Sequence, residues 1–331
     1  MRIRRTILVD PKRGQFFHVV SRVVDRRFIF GEKEKTLFMR FMRQYEGFTG
    51  VQVVSYCLMS NHFHLLLYVP PRPDVIPEEE VMRRMKCLYS KDQIKEFLSQ
   101  LEELEGESFQ KQREEFLDKF RIRMFNLSQF VRELKLRFSK YFNAFNDRKG
   151  TLWEERFRCS LIEGKPNALM NTAAYIELNP VRAGLVNHPK EYRWCSYSEA
   201  LTGGESARRG IIGLATGMNL PLSYSEAIVR YQEFFKFRSR IQEGKKRGIV
   251  SEKSGETQGG EASDLMAVGA VGKTRVFLHG LILGSREFIE EWYQKNKKAL
   301  NVKRQRISSK LSIDHLGEEE IHTYRKVEHQ P

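Results

Sequence analysis

The stretch Tyr56–Val69, YCLMSNHFHLLLYV, interrupts an apolar run twice with imidazoles, at His62 and His64. VQVVSYCLM before it and HFHLLLYV within it read as strands, and Ser60-Asn61 between them as a tight turn joining antiparallel partners. Side chains alternate across a strand, so His62, His64, Leu66 and Tyr68 share one face while Phe63, Leu65 and Leu67 share the other. One face is then core, and the other presents two neighbouring imidazoles. Paired imidazoles on a rigid strand are well placed to share a divalent ion. Two polar residues on an ordinary sheet face look the same, so the pair alone leaves both readings open. The histidine-triad hydrolase pattern is not met, because Leu66 stands where a third histidine is needed.

Outward from this hairpin the pattern alternates. QFFHVVSRVV (Gln15–Val24) is a predicted strand, and EKEKTLFMRFMRQYEGF carries Leu37, Phe38, Phe41, Met42 and Tyr45 at helical spacing. PPRPDVIP closes the run of strands, since prolines do not serve a central strand. The composition from about Glu78 to Phe125 is charged and helical, which predicts a helical hairpin or an inserted arm. LSQFVRELKLRFSKYFNAFN then gives a basic amphipathic helix, FRCSLIE a strand, and KPNALMNTAAYIELNP a helix with Pro166 in its first turn. The order β-α-β-β, helices, β-α predicts an α+β fold: a ferredoxin-like core, mostly antiparallel, flanked by helices, with a helical insertion and a C-terminal extension. The predicted division is a domain over 1–201, interrupted at about 72–125, and a helical extension over 202–331 with a mobile linker at about 244–272.

The chain has 331 residues, 57 basic against 42 acidic, and a formal net charge of +15. That excess is the footprint of a polyanion binder, with nucleic acid the first expectation and anionic membranes sharing the signature. Four scattered cysteines form no Cys-x-x-Cys pair, which argues against a zinc ribbon or a disulfide framework. The N-terminus MRIRRTILVD has no apolar signal region, and no run approaches a membrane span, so a cytoplasmic protein is expected.

In NTAAYIELNPVRAGLV, Tyr175 lies on a helix face with Asn171 and Asn179, while Leu169, Ala173 and Ile176 point inward. A tyrosine can attack a phosphodiester and store the bond energy as a phosphotyrosine ester. Its phenol is protonated at neutral pH, and a Lewis acid held by His62 and His64 is the kind of help such a nucleophile needs. A tyrosine packed between helix and sheet has the same sequence appearance.

Taken in order, HVVSRVVDRRFIF, YCLMSNHFHLLL, FSKYFNAFNDRKGTLWEERFRCSLI, YIELNPVRAGLV and YRWCSYSEAL resemble the HUH single-tyrosine transposases, closest to the REP-associated tyrosine transposases. The resemblance spans about Gly14 to Leu201, with the charged segment longer than that family's pattern. It implies metal-dependent nicking and strand transfer of single-stranded DNA at or beside a hairpin. It also implies His62 and His64 as ligands of Mg²⁺ or Mn²⁺, Tyr175 as the nucleophile forming a 5′-phosphotyrosine, and Asn179 as a third ligand. The expected partner is single-stranded or hairpin DNA, the expected state a monomer or homodimer. The competing expectation is a domesticated relative that binds structured DNA or RNA without cutting it.

For DNA contact, the candidates are Arg22, Arg26 and Arg27 near the N-terminus and Arg137, Lys140 and Arg148 along and beyond the basic helix. Arg156 and Arg158 are predicted to share a strand face near the scissile phosphate, and Arg182 follows the tyrosine helix. Phe138 and Phe142 sit at helical spacing and are assigned to the core rather than to base stacking.

Overall fold

The computed structural model describes residues 10–235, 281–300, 309–310 and 322–324. The predicted linker at 244–272 and the basic residues before position 10 lie outside the described residues.

The predicted hairpin is present as β2 (Gln52–Leu58) and β3 (His62–Val69), antiparallel, with Met59 N–H donating to the His62 carbonyl across the turn. β1 (Gln15–Arg22) lies antiparallel against the other edge of β3, and β4 (Arg158–Ile162) antiparallel against β1. The resulting order β2-β3-β1-β4 is that of a ferredoxin-like sheet. Its single irregularity between β2 and β3 is a register shift at Val53/Ser55.

Both faces of this sheet are covered. Phe17, Val19, Phe63, Leu65 and Leu67 pack against α1 (Glu32–Thr49) and α5 (Leu127–Phe145), which present Phe38, Met42, Phe130, Leu134 and Phe138. Local chemistry sets the ends of these helices. Glu32 and Glu34 favour the positive end of α1, and Gly50, at φ 75°, closes it with an N–H to the Glu46 carbonyl. Asn126 caps α5 by accepting from Gln129 N–H at 3.1 Å. Phe138 and Phe142 are core residues, as expected.

The opposite face meets α6 (Pro166–Glu177), then α7 (Asn179–Arg182), α8 (Ser196–Leu201), α9 (Glu205–Thr216) and α10 (224–235). Residues Ala168 to Glu177 are all buried. The two-faced helix expected from the sequence is therefore enclosed on every side, between the sheet and the helices behind it. α9 comes so close to β2 that a Cβ on Gly210 would stand 2.2 Å from the Val54 carbonyl oxygen.

Two expectations need correction. The segment at 72–125 is not a projecting arm or a simple hairpin. It forms α2 (Glu78–Met85), α3 (Lys91–Glu102) and α4 (Gln110–Arg121), and buries Val81, Met85, Ile94, Leu101, Leu117 and Phe120 in the α1/α5 core. Nor is the extension only helical. β5 (Ile282–Gly284) joins β4 in parallel, β7 (His322–Tyr324) pairs with β5, and β6 (Ser309–Lys310) with β7, while α11 (Arg286–Leu300) carries Ile289 and Trp292 into the core. Strands of two or three residues are too short to show alternation in the sequence. Among the described residues no helix is long and apolar enough to cross a membrane.

Candidate active site

The register of β1 against β3 pairs Arg22 with His62, Val20 with His64 and His18 with Leu66. Directly opposed residues point to the same side, so His18, Arg22, His62 and His64 converge on the face covered by α6. His62 is partly exposed at the strand end, while His64 and His18 are each 1% exposed. The ring centroids of His62 and His64 are 5.1 Å apart, and those of His18 and His64 5.2 Å apart and stacked.

Tyr175 arrives from α6. Its ring centroid lies 5.7 Å from that of His64 and 5.9 Å from that of His18, edge to face in both cases. The predicted meeting of an early strand and a late helix is thus present, with one participant the sequence reading missed. His18 sits in QFFHVV, where it looked like one polar position in a strand. The signal that could have found it is the antiparallel pairing, which brings the even-numbered residues of β1 to the face that carries His62 and His64.

Hydrogen bonds orient both imidazoles. Asn61 Nδ2 donates to the Arg26 carbonyl at 3.1 Å, which fixes the amide so that Oδ1 faces His62 Nδ1 at 2.6 Å. An amide oxygen only accepts, so His62 Nδ1 carries the proton and Nε2 keeps its lone pair. His64 Nδ1 lies 3.0 Å from His18 Nε2. With the proton on His64 Nδ1, Nε2 of that ring also remains an acceptor. Burial, with Arg22 adding repulsion, pushes His62 down to about 4. Burial and the neighbouring imidazoles push His64 well below the usual histidine range. Both rings are neutral at pH 7, the form in which imidazole binds a metal.

These donors fit a divalent cation. Two neutral imidazoles, each engaged at Nδ1 by a neighbouring polar group, are what a ligating pair requires. Among the described residues no group of three or more His, Cys, Asp and Glu side chains is arranged to hold a metal ion by itself, so the imidazole pair is the protein's contribution to such a site.

Asn179 Nδ2 donates to the carbonyls of Tyr175 and Ile176, both at 3.0 Å. These bonds, both made by Nδ2, satisfy carbonyls at the end of α6. Arg182 lies against the nucleophile candidate: its guanidinium carbon is 4.3 Å from the Tyr175 ring centroid, and it donates to the Tyr175 and Leu178 carbonyls. Burial raises the Tyr175 phenol above its ordinary value, and the charges of Arg182 and Arg22 work against that rise.

The other predicted DNA contacts divide. Arg26, Arg27, Lys140 and Arg156 are exposed. Arg158 lies in register with Val20, on the histidine face, and pairs with Glu155 at 2.8 Å. Arg156 precedes β4, in a bend, and so does not share a strand face with Arg158. Arg137 packs 4.3 Å from the Phe41 ring centroid, between α5 and α1. Arg148 braces its own turn through Asn143 Oδ1 and the Thr151 carbonyl. Behind α6 lies a group the sequence reading did not single out. Glu177, fully buried, accepts from Ser196 Oγ at 2.6 Å, Tyr231 Oη at 2.7 Å and Ser55 Oγ at 3.2 Å.

Residues 13–113 match the family described as "Transposase IS200 like". This stretch holds β1, β2 and β3 with His18, His62 and His64, and ends before Tyr175. One similar solved structure is described as a REP-associated tyrosine transposase bound to a REP hairpin. It is 13% identical, with 58% of this chain and 82% of that one covered and a TM-score of 0.37. The search of curated proteins returned no match.

Proposed function

We propose that this chain, whose residues 13–113 match the family described as "Transposase IS200 like", is a transposase that nicks and rejoins single-stranded DNA through a covalent bond to Tyr175. The observation that carries the reading is the approach of the Tyr175 ring to within 6 Å, centroid to centroid, of both His64 and His18.

In the proposed step the Tyr175 oxygen attacks the scissile phosphorus. The new bond is phosphotyrosine at the 5′ side, and the bond that breaks is phosphorus to the 3′ oxygen. The phenolic proton goes to solvent and the 3′ oxygen leaves as a hydroxyl. Attack by a 3′-hydroxyl on the phosphotyrosine reverses the chemistry and completes strand transfer. His62 and His64 would hold Mg²⁺ or Mn²⁺, which when bound supplies a Lewis acid that polarises and orients the phosphate. Arg182 and Arg22 lower the cost of phenolate character on Tyr175 and offset charge at the phosphate. Hairpin DNA as the substrate form follows from the sequence resemblance, with exposed Arg26, Arg27 and Lys140 available to flanking phosphates.

Labelled hairpin DNA incubated with the protein and Mn²⁺ is expected to give an adduct stable to SDS, lost in Tyr175→Phe and in His62→Ala with His64→Ala. Tight binding with no adduct under any divalent metal identifies a non-cleaving binder instead. An adduct of equal yield from Tyr175→Phe refutes the assignment of the nucleophile.

A further inference from the structure

Phe28 is 82% exposed, the most exposed of the large apolar side chains among the described residues. It is not on a loose tip. Before it, Val23 N–H donates to the Asn61 carbonyl at 2.9 Å. After it, Phe30 N–H donates to the Ser60 carbonyl at 3.0 Å. Between them the Arg26 carbonyl accepts from Asn61 Nδ2. Phe30 is buried and stacks on Phe138 with ring centroids 4.7 Å apart, which anchors the far end of the loop. Asp25 and Arg26 hold φ of 56° and 53°, a left-handed bend that non-glycine residues adopt only at an energetic cost. The chain therefore accepts backbone strain to fold this loop back onto the turn that precedes His62.

The loop and the histidine share one side chain. Asn61 holds His62 through Oδ1 and the Arg26 carbonyl through Nδ2, so the place of Phe28 is fixed relative to the imidazole pair. Arg26 and Arg27, both exposed, immediately precede Phe28 in the chain. Leaving a phenylalanine in water forgoes the free energy of burying it, and a neighbouring pair of arginines selects a polyanion as what covers it. A flat aromatic face beside phosphate-binding cations is how unpaired bases are held without regard to sequence.

We infer that Phe28 is a stacking platform for one unpaired base of the DNA strand, next to the histidine site, with Arg26 and Arg27 taking the adjacent phosphates. The inference deepens the proposed function and rests on its single-stranded DNA substrate. It assigns Phe28 to positioning the strand, not to chemistry.

The test uses the full chain carrying Tyr175→Phe, so that nothing is cut, and two labelled probes of equal length. One is oligothymidylate; the other has the same backbone with every base replaced by an abasic site. The parent protein is expected to prefer the thymidylate. Phe28→Ala is expected to lower that preference by about 5- to 150-fold while leaving affinity for the abasic probe unchanged. Phe28→Trp is expected to restore it, and Arg26→Ala with Arg27→Ala to weaken both probes alike. An unchanged preference in Phe28→Ala, as a protein-docking role for the ring would give, overturns the inference. So does an equal loss on both probes, which marks a structural effect. Adduct formation by the Tyr175 protein is read separately, so a protein that stacks bases but forms no adduct refutes the nuclease reading and leaves this one standing.

Discussion

His18 and His64 are joined across neighbouring antiparallel strands by a hydrogen bond of 3.0 Å between Nε2 of the first and Nδ1 of the second. Both rings are buried, so water does not compete for the bond. It is the buried counterpart of the Asn61 contact to His62, and together the two contacts hold both rings at Nδ1. Removing such an orienting partner typically weakens metal binding about 10- to 100-fold. His18→Phe is expected to fall in that range for Mn²⁺, followed by titration calorimetry or by the electron paramagnetic resonance of free Mn²⁺. Because Phe fills the same space, the metal-free melting temperature is expected to change little. A variant that binds Mn²⁺ as tightly as the parent protein would show that the His18 contact serves packing alone.

Arg182 offers a second measurable coupling. Its guanidinium covers the Tyr175 ring at 4.3 Å and is tied to the end of α6 through carbonyl oxygens. A desolvated contact of this kind contributes up to about 2 kcal/mol, and the same charge resists the upward pull of burial on the phenol. Arg182→Met is expected to slow adduct formation about tenfold or more. Its rate against pH should also move toward higher pH, because the phenol is then harder to ionise. Arg182→Lys, keeping charge without the planar stack, is expected to fall between the two. Single-turnover adduct formation across a pH series distinguishes these outcomes from a simple loss of DNA affinity, which saturating DNA removes.

Alternation along β3 was legible because its two faces differ sharply in chemistry: Phe63, Leu65 and Leu67 against His62 and His64. The order of strands and helices along the chain followed from period and from punctuation by Pro166 and the prolines after Val69. His18 was not legible, because its role arises only from register with a strand more than forty residues away, and a lone histidine in an apolar run carries no spacing signal. The same holds for Glu177. In the sequence it is one charged residue on an otherwise apolar helix, a pattern that normally marks the solvent side. Only the helices that follow it in the chain, bringing Ser196 and Tyr231, turn that side into an interior. For Arg137 charge was legible and packing was not: its place on α5 lays it over Phe41, a contact that requires α1 alongside.

Glu177 makes stability depend on pH in a direction opposite to that of most carboxylates. Burial raises it to about 7 despite the hydrogen bonds from Ser196, Tyr231 and Ser55, which favour the charged form. In the unfolded chain it returns to its ordinary value near 4.5. Between those two values the folded protein holds a proton that the unfolded chain has released, so stability falls as pH rises from about 4.5 to about 7 and is level above. The span corresponds to about 3 kcal/mol as an order of magnitude. Glu177→Gln keeps an acceptor for the serine hydroxyls and has no charge to bury, so the difference in unfolding free energy between it and the parent protein should grow with pH over that window and then level off. Glu177→Ala is expected to destabilise at every pH, because it leaves buried hydroxyls without their acceptor, at about 1–3 kcal/mol for each group left unsatisfied. Urea unfolding of the three proteins at a series of pH values reads both effects. A parent-minus-Gln difference that is flat across the window would mean that the carboxyl ionises freely in the fold. The three hydroxyls would then fully offset the cost of burial.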